Sequence, residues 1–315
     1  MSGNYLVWLE WPEKCFRVNA QALRFLRSLL PNGARVIHAR SESAFLRQLP
    51  KATHAIVWNF NPEWFAKVGR LKLLATPAAG REFVPEKGPE GVRIHFGHFH
   101  GRFIAESVAA FMLAWTHGFF RQLKGEAGND PWPRTWLSDK CSSVRSTKAV
   151  IAGFGNVGKT VGKYLEMLGV EVVGIARHGV FKGAKKPVRI DGRRLSTALK
   201  AADWMILALP STTGTDDFLN AGFIRKLSRK CVVINVGRGN AVDELALYEA
   251  LRGGRLAGAY LDVRRHEPSA TVLESPGFVP GLADLPNCIT MPHSSAFDGD
   301  YINACFRELK DDGCI

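Results

Sequence analysis

Short runs of β-branched and aromatic residues alternate, over the first hundred residues, with segments whose apolar positions recur at helical spacing. YLVWLEW (5–11), ARVIHA (34–39) and HAIVWNF (54–60) read as strands, and Ala20–Leu30 and Ser43–Leu49 as the amphipathic helices between them. A helix is expected from Pro62, a residue suited to a first helical turn, to Val68. The strand LKLLAT (71–76), the loop PAAGRE (77–82) and the strand VRIHF (92–96) follow. This βαβ rhythm predicts a parallel sheet.

A long apolar stretch at about 102–121 reads as a buried helix. Glu106 and His117 interrupt it, so it falls short of the about 20 consecutive apolar residues that cross a membrane. The Gly/Pro/Trp-rich stretch 125–146 has no period of either kind and is expected to be a linker or surface loop. A second series starts at Lys148, with strands in KAVIAGF, VEVVGIA, DWMILALP, CVVINV, GAYLDV and NCITMP. Its helices are Asn156–Leu168, Leu195–Ala201, Ala221–Leu227 and Glu244–Leu251. Six strands with helical intervals match a doubly wound, dinucleotide-type sheet.

The expected fold is therefore α/β, with two Rossmann-like or flavodoxin-like domains built on parallel sheets and an active site in the cleft between them. Residues 1–98, completed by 291–315, form the expected substrate domain, and 99–290 the dinucleotide-binding domain. At 315 residues, the chain is long enough for each domain to bury its own core.

Gly153, Gly155 and Gly158 in VIAGFGNVGKT form a GxGxxG between a strand and a helix. The first glycine permits the tight turn, the second lets backbone approach a pyrophosphate, and the third allows close helix–strand packing. The helix start at Asn156 and Val157 offers N–H donors and a partial positive charge. In NAD-binding sheets an acid at the end of the second strand accepts from the ribose hydroxyls. Ala176 stands at that place here, Arg177 and His178 follow, and no Asp or Glu occurs between Glu171 and Asp191. A guanidinium beside a missing carboxylate suits a 2′-phosphate, so NADP(H) is the expected preference, with NAD(H) as the other nicotinamide cofactor.

Three polar residues follow the later strands: Arg238 after CVVINV, Glu267 after GAYLDV and His293 after NCITM. Ligands bind beyond the C-terminal ends of strands in open α/β sheets. Taken singly, each residue also reads as an ordinary surface or structural group. Together, INVGRGNAVDELAL, GAYLDVRRHEP, MPHSSA and the loop LPSTTGTDDFLN resemble, in order, motifs of the D-isomer-specific 2-hydroxyacid dehydrogenase family. The resemblance covers essentially the whole chain.

That resemblance implies an NAD(P)-dependent oxidoreductase reducing a small 2-oxo acid, of glyoxylate or hydroxypyruvate type, to the D-2-hydroxy acid. It implies catalytic roles for Arg238, Glu267 and His293. Arg238 can hold the carboxylate or carbonyl oxygen in fixed orientation. His293, with an ordinary pKa of about 6.5, can give the proton in reduction and take it in oxidation, and Glu267 would orient the ring and favour imidazolium. The resemblance further implies cofactor contacts at Pro210, Thr215, Val236, Asp262 and Ser295, with Asp262 near the nicotinamide amide. It also implies substrate-carboxylate binding by the PAAG loop through Ala79 and Gly80, although Ala78-Ala79-Gly80 is less glycine-rich than is common in the family. A homodimer joined through the long helix is implied in the same way. The family's corepressors suggest an alternative, a dinucleotide-sensing regulatory protein on the same fold.

The chain carries 42 Lys and Arg against 29 Asp and Glu, a formal +13. Such an excess suits nucleic acid, an anionic membrane surface or small anionic ligands. No nucleic-acid recognition motif is present, KGAKKPVRIDGRR (182–194) reads as a solvated face, and neither a nucleic-acid nor a membrane partner is expected. Six scattered cysteines without a CxxC pair, and an N-terminus lacking a signal-peptide pattern, point to a reducing, cytoplasmic setting. His95, His98 and His100 in HFGHFHG lack a neighbouring Cys or acidic ligand, so no metal site is expected there. In this reading His100 or Arg102 borders the cleft, and Trp58, Phe60 and Trp64 are packing residues.

Overall fold

The computed structural model describes residues 3–267, 279 and 281–315. The chain divides into two compact units, residues 1–100 with 297–315, and residues 101–296.

In the first unit, β1 (Asn4–Trp8), α1 (Ala20–Leu29), β2 (Arg35–His38), α2 (Glu42–Gln48), β3 (His54–Val57), β4 (Leu73–Thr76) and β5 (Arg93–Phe96) follow in sequence. The strands pair in parallel in the order β2-β1-β3-β4-β5, the flavodoxin-like order. The side chains of Asn19 and Ser41 accept from the amides of Ala22 and Ala44, which fixes the starts of α1 and α2. Leu6, Phe45, Leu49, Ala55, Val57 and Leu74 form the core. Phe60 packs edge-on against both Phe45 and Trp64, and the Trp58 indole N–H donates to the Phe16 carbonyl at 2.9 Å, so all three aromatics act in packing. The helix expected from Pro62 is a tighter 3-10 turn, Pro62–Lys67, capped by Asn61. The C-terminal helix Tyr301–Asp311 belongs to this unit.

The second unit opens with α3 (Gly101–Thr116), α4 (Phe119–Leu123) and α5 (Arg134–Ser138). The single long helix expected at 102–121 is thus broken. Gly118 takes a left-handed φ of 69° at the break, a conformation that glycine reaches at little cost. Then come β6 (Lys148–Ala152), α6 (Asn156–Met167), β7 (Glu171–Ala176), β8 (Gly179–Lys182), β9 (Val188–Ile190), α7 (Gly192–Lys200) and β10 (Trp204–Leu207). They are followed by α8 (Ala221–Ile224), β11 (Val232–Asn235), α9 (Glu244–Arg252), β12 (Gly258–Leu261) and β13 (Cys288–Thr290), and the C-terminal helix is α10.

The sheet order is β13-β12-β11-β10-β6-β7-β8-β9. Six strands are parallel, whereas β8 and β9 extend the edge antiparallel. The basic run at 182–194, expected as a plain solvated face, supplies part of that hairpin and the start of α7. Alternate residues of each central strand serve opposite faces, as the period of two requires. Val150, Ala152, Met205, Leu207 and Val233 face a core shared with α7, α8 and α9. Ala149, Ile151, Trp204, Ile206, Val232 and Ile234 face one shared with α3 and α6. Each fully buried Ile or Leu contributes about 1.5–3 kcal/mol.

The second compact unit runs to residue 296. Beyond β13 the backbone stays tied to β12 and the residue after it, with Met291 N donating to Leu261 O at 2.9 Å and His293 N to Asp262 O at 2.8 Å.

Candidate active site

The glycine turn lies between β6 and α6, and each glycine answers a separate steric demand. Gly153 has φ +89°, and a Cβ there would stand 2.2 Å from the Ala208 carbonyl oxygen. A Cβ on Gly158 would meet the Gly153 carbonyl oxygen at 2.3 Å. Gly155, the residue before α6, has open space at its Cβ position. The turn thus combines an uncrowded backbone approach with the amides of Asn156 and Val157 at a helix start, a cradle that fits a pyrophosphate. Phe154 is buried against Gly174 of β7, which keeps its ring out of that approach.

β7 ends at Ala176, and Arg177 and His178 are exposed in the turn into β8. Arg189 on β9 brings a third basic side chain to this turn, its Nε 3.0 Å from the Cβ position of Gly179. Sequence reasoning missed Arg189 because only the hairpin folds it back beside Arg177.

Three loops at the C-terminal ends of β11, β12 and β13 carry Arg238, Glu267 and His293. His293 Nδ1 lies 3.1 Å from Glu267 Oε2, with the two side chains 50% and 44% exposed. The structure brings this pair together across 26 residues of sequence. The hydrogen bond to Glu267 is the main reason the His293 pKa is raised above its ordinary value, against the opposing effect of burial. The charges of Glu267 and Asp262 add to the rise, and Arg238 is close enough to oppose it. His293 has φ +53°, an uncommon conformation for a non-glycine residue. Three hydrogen-bonded amides secure it: His293 N on the Asp262 carbonyl at 2.8 Å, and Ser294 N and Ser295 N on the Asp262 carboxylate at 2.8 and 3.1 Å.

The arginine and glutamate loops are locked to each other. A Cβ on Gly239 would stand 1.9 Å from the Arg264 carbonyl oxygen, so only glycine admits this approach. Glu244, the first residue of α9, receives both Nε and Nη2 of Arg264 at 2.9 and 2.7 Å and the Arg265 amide at 2.9 Å. This ion pair is buried, with side chains 9% and 4% exposed. Asn235 accepts from Gly237 N at 3.2 Å and donates to the Arg238 carbonyl at 3.1 Å, shaping the turn that presents Arg238. Glu244, Arg264 and Asn235 lie inside the quoted motifs but went unnoticed, since Glu244 and Arg264 meet only across 20 residues of sequence and Asn235 acts through the local turn it shapes. Pro268, at the end of the glutamate motif, lies outside the described residues.

Other expected contacts are committed within the protein. Asp262, 3% exposed, uses its carboxylate to hold the Ser294 and Ser295 amides. The Ser295 hydroxyl, expected on the cofactor, is buried and points inward to Ser107 and Tyr260 at 3.1 and 3.2 Å. Thr215 Oγ1 donates to the Pro210 carbonyl at 2.7 Å and forms a capping box with Thr212, so it shapes the loop after β10 in which Pro210 is exposed. Val236 is buried. His100 does not border a surface: it is buried within the first unit and hydrogen-bonded to the Tyr301 hydroxyl at 2.7 Å. Arg102 places its guanidinium over the Phe103 ring, 4.4 Å from the centroid.

In the first unit, Ala79 and Gly80 follow β4 directly. The turn is set by the Thr76 hydroxyl, which accepts from the Ala78 amide at 3.2 Å, and by the Gly97 amide, which donates to Thr76 O at 2.9 Å.

Comparison with known proteins agrees with this geometry. The sequence model of the D-isomer specific 2-hydroxyacid dehydrogenase NAD-binding domain matches residues 109–295. Glycerate dehydrogenase of Methylorubrum extorquens is 28% identical over 230 residues, covering 71% of this chain and 68% of that protein. Glyoxylate reductase of Thermococcus kodakarensis is 31% identical over 143 residues, 45% of this chain and 40% of that one. The crystal structure of the D-isomer specific 2-hydroxyacid dehydrogenase of Lactobacillus delbrueckii ssp. bulgaricus in its NAD complex has the same fold. It aligns with TM-score 0.76 at 17% identity, covering 99% of this chain and 96% of that one. The chain belongs to the D-isomer specific 2-hydroxyacid dehydrogenase family and is an NAD(P)-dependent oxidoreductase of that class. Among the described residues, no helix is long and apolar enough to cross a membrane.

Proposed function

We propose that this enzyme reduces a small 2-oxo acid of glyoxylate or hydroxypyruvate type to the D-2-hydroxy acid, with NADPH as its preferred cofactor. The observation that carries the reading is the His293–Glu267 pair at 3.1 Å, with Arg238 in electrostatic reach of it. A dinucleotide held at Gly153–Gly158 would supply a hydride to the carbonyl carbon. This chain supplies the rest. Arg238 orients the carboxylate and carbonyl. His293 Nδ1, hydrogen-bonded to Glu267, leaves Nε2 to deliver the proton to the forming alkoxide. Asp262 sets the backbone of the histidine loop, and its remaining acceptor capacity would serve the nicotinamide amide. Val236, Pro210, Thr215 and Ser295 shape the cofactor-side loops.

The 2′-phosphate preference rests on the absence of an acid after β7 and the gathering of Arg177, His178 and Arg189 there. Following NADPH and NADH absorbance with glyoxylate, hydroxypyruvate and pyruvate tests both parts. Faster turnover of glyoxylate or hydroxypyruvate with NADPH, and a loss of the NADPH preference in Arg177→Ala, is the expected result. Equal efficiency with NADH refutes the cofactor assignment, and no oxidation with any pair refutes the reductase assignment.

Two smaller expectations accompany this reading. Leu113, Phe119, Leu123 and Trp132 are exposed apolar residues on or after α3, which supports a second copy of the chain as their cover. Light scattering reports that dimer directly. All six cysteines are free thiols, which supports a reducing, cytoplasmic setting.

A further inference from the structure

The sequence HFGHFHG has no acidic neighbour, yet the fold supplies two. His95 lies on β5 and His98 follows it, while Glu308 lies on α10 and Asp312 directly after that helix. Glu308 and Asp312 are one helical turn apart and therefore share a face. One nitrogen or oxygen from each of the four side chains falls within a group spanning 4.8 Å.

We propose that His95, His98, Glu308 and Asp312 form a binding site for a divalent transition-metal cation of the zinc class. His95 Nε2 is 3.0 Å from Asp312 Oδ2 and 3.9 Å from Glu308 Oε1. His98 Nε2 is 2.8 Å from the same Asp312 oxygen, and its Nδ1 is 2.8 Å from Glu308 Oε2. Tetrahedral zinc with bonds of about 2.0–2.1 Å places its ligand atoms about 3.3 Å apart, so small side-chain rotations convert these contacts into a coordination sphere. Two imidazoles with two carboxylates suit zinc, cobalt or nickel, whereas magnesium and calcium prefer all-oxygen sites. The Asp312 carboxylate lies at the C-terminal end of α10, where the helix itself favours a cation.

The backbone holds the ligands in place. The His98 amide donates to both Glu308 oxygens at 3.0 Å, an outer contact of the kind that orients metal-ligating carboxylates. Gly97, between the histidines, donates to the Thr76 and Ala78 carbonyls at 2.9 and 3.0 Å, and a Cβ there would stand 2.1 Å from the Pro77 carbonyl oxygen. Arg93 on the same strand is directed to Cys314 Sγ, which leaves the four N and O ligands as the coordinating set. The buried His95 Nδ1 makes no hydrogen bond, so this ligand lacks an outer acceptor and the affinity is weaker than in sites that have one. A bound cation would tether the C-terminal helix to β5 within the first unit.

Thermal melting of the full chain, chelator-treated and then titrated with zinc sulfate, tests the site without reference to turnover. Zinc is expected to raise the melting temperature by several degrees and to bind at one equivalent in competition with a chromogenic chelator. Cobalt is expected to give the visible bands of a four-coordinate N/O site. His98→Ala with Asp312→Asn should lose the shift, the bands and the stoichiometric binding, and Asp312→Asn alone should weaken them. Melting of the metal-free variants near the wild-type temperature verifies that they fold. No zinc shift in the wild type, an equal shift in the double variant, or an equal shift with magnesium would overturn the proposal.

Discussion

His293 meets one carboxylate, Glu267, with both side chains about half exposed, whereas His95 and His98 meet two, one of them Glu308 at 6% exposure. The outcomes have opposite sign. At His293 the hydrogen bond to Glu267 outweighs desolvation and raises the pKa, while at His95 burial outweighs the Asp312 contact and lowers it. A histidine beside a carboxylate therefore has no fixed chemistry. An accessible ring on one anchored acceptor is kept ready to hold and release a proton, and a buried neutral ring offers its lone pair to a ligand.

The sharpest way to break this contrast is to remove each ring. His293→Ala and Arg238→Ala are each expected to cut turnover by about 10²–10⁴, the range for a lost acid or orienting group, with circular dichroism unchanged. His98→Ala is expected to leave turnover unchanged. Near wild-type turnover in His293→Ala, or a comparable loss in His98→Ala, would erase the distinction.

Next in size is the scaffold on which Glu267 stands. Glu244→Ala removes the carboxylate that holds the buried Arg264 guanidinium and the Arg265 amide and is expected to cost about 3–5 kcal/mol in denaturant unfolding. Gly239→Ala forces the arginine and glutamate loops apart, with an expected cost of about 1–3 kcal/mol and a loss of kcat larger than any change in KM. Thr215→Ala removes the capping box and the hydrogen bond to the Pro210 carbonyl after β10 and is expected to cost about 0.5–2 kcal/mol. An unchanged Gly239→Ala enzyme would contradict the steric locking of the two loops.

The sequence made the parallel sheets legible because their signal is local: apolar runs with turn residues between them survive without knowledge of any partner. The glycine turn was legible for the same reason, since strand, glycines and helix adjoin. The β8–β9 hairpin was hidden by its lysines, which mask the few apolar positions among them, and by its place at a sheet edge. Glu308 as a neighbour of His98 was illegible across 210 residues, as were the Ser107 and Tyr260 partners of the Ser295 hydroxyl, which come from α3 and β12. Arg238, Glu267 and His293 were singled out through motif order, while the hydrogen bonds that Asn235, Glu244 and the Asp262 carboxylate make around them emerge only from the folded backbone.

The pH dependence of kcat/KM for NADPH-dependent 2-oxo acid reduction, in the wild type and in Glu267→Gln, tests the central claim most directly. Reduction draws its proton from His293 imidazolium, so activity is present at low pH and lost as pH rises through the folded pKa, which Glu267 holds above the ordinary 6.5. Glu267→Gln removes the main cause of that rise and leaves desolvation unopposed, so the falling limb is predicted to move to lower pH. Superimposable profiles of wild type and variant would contradict the assignment of the His293–Glu267 pair as the proton source.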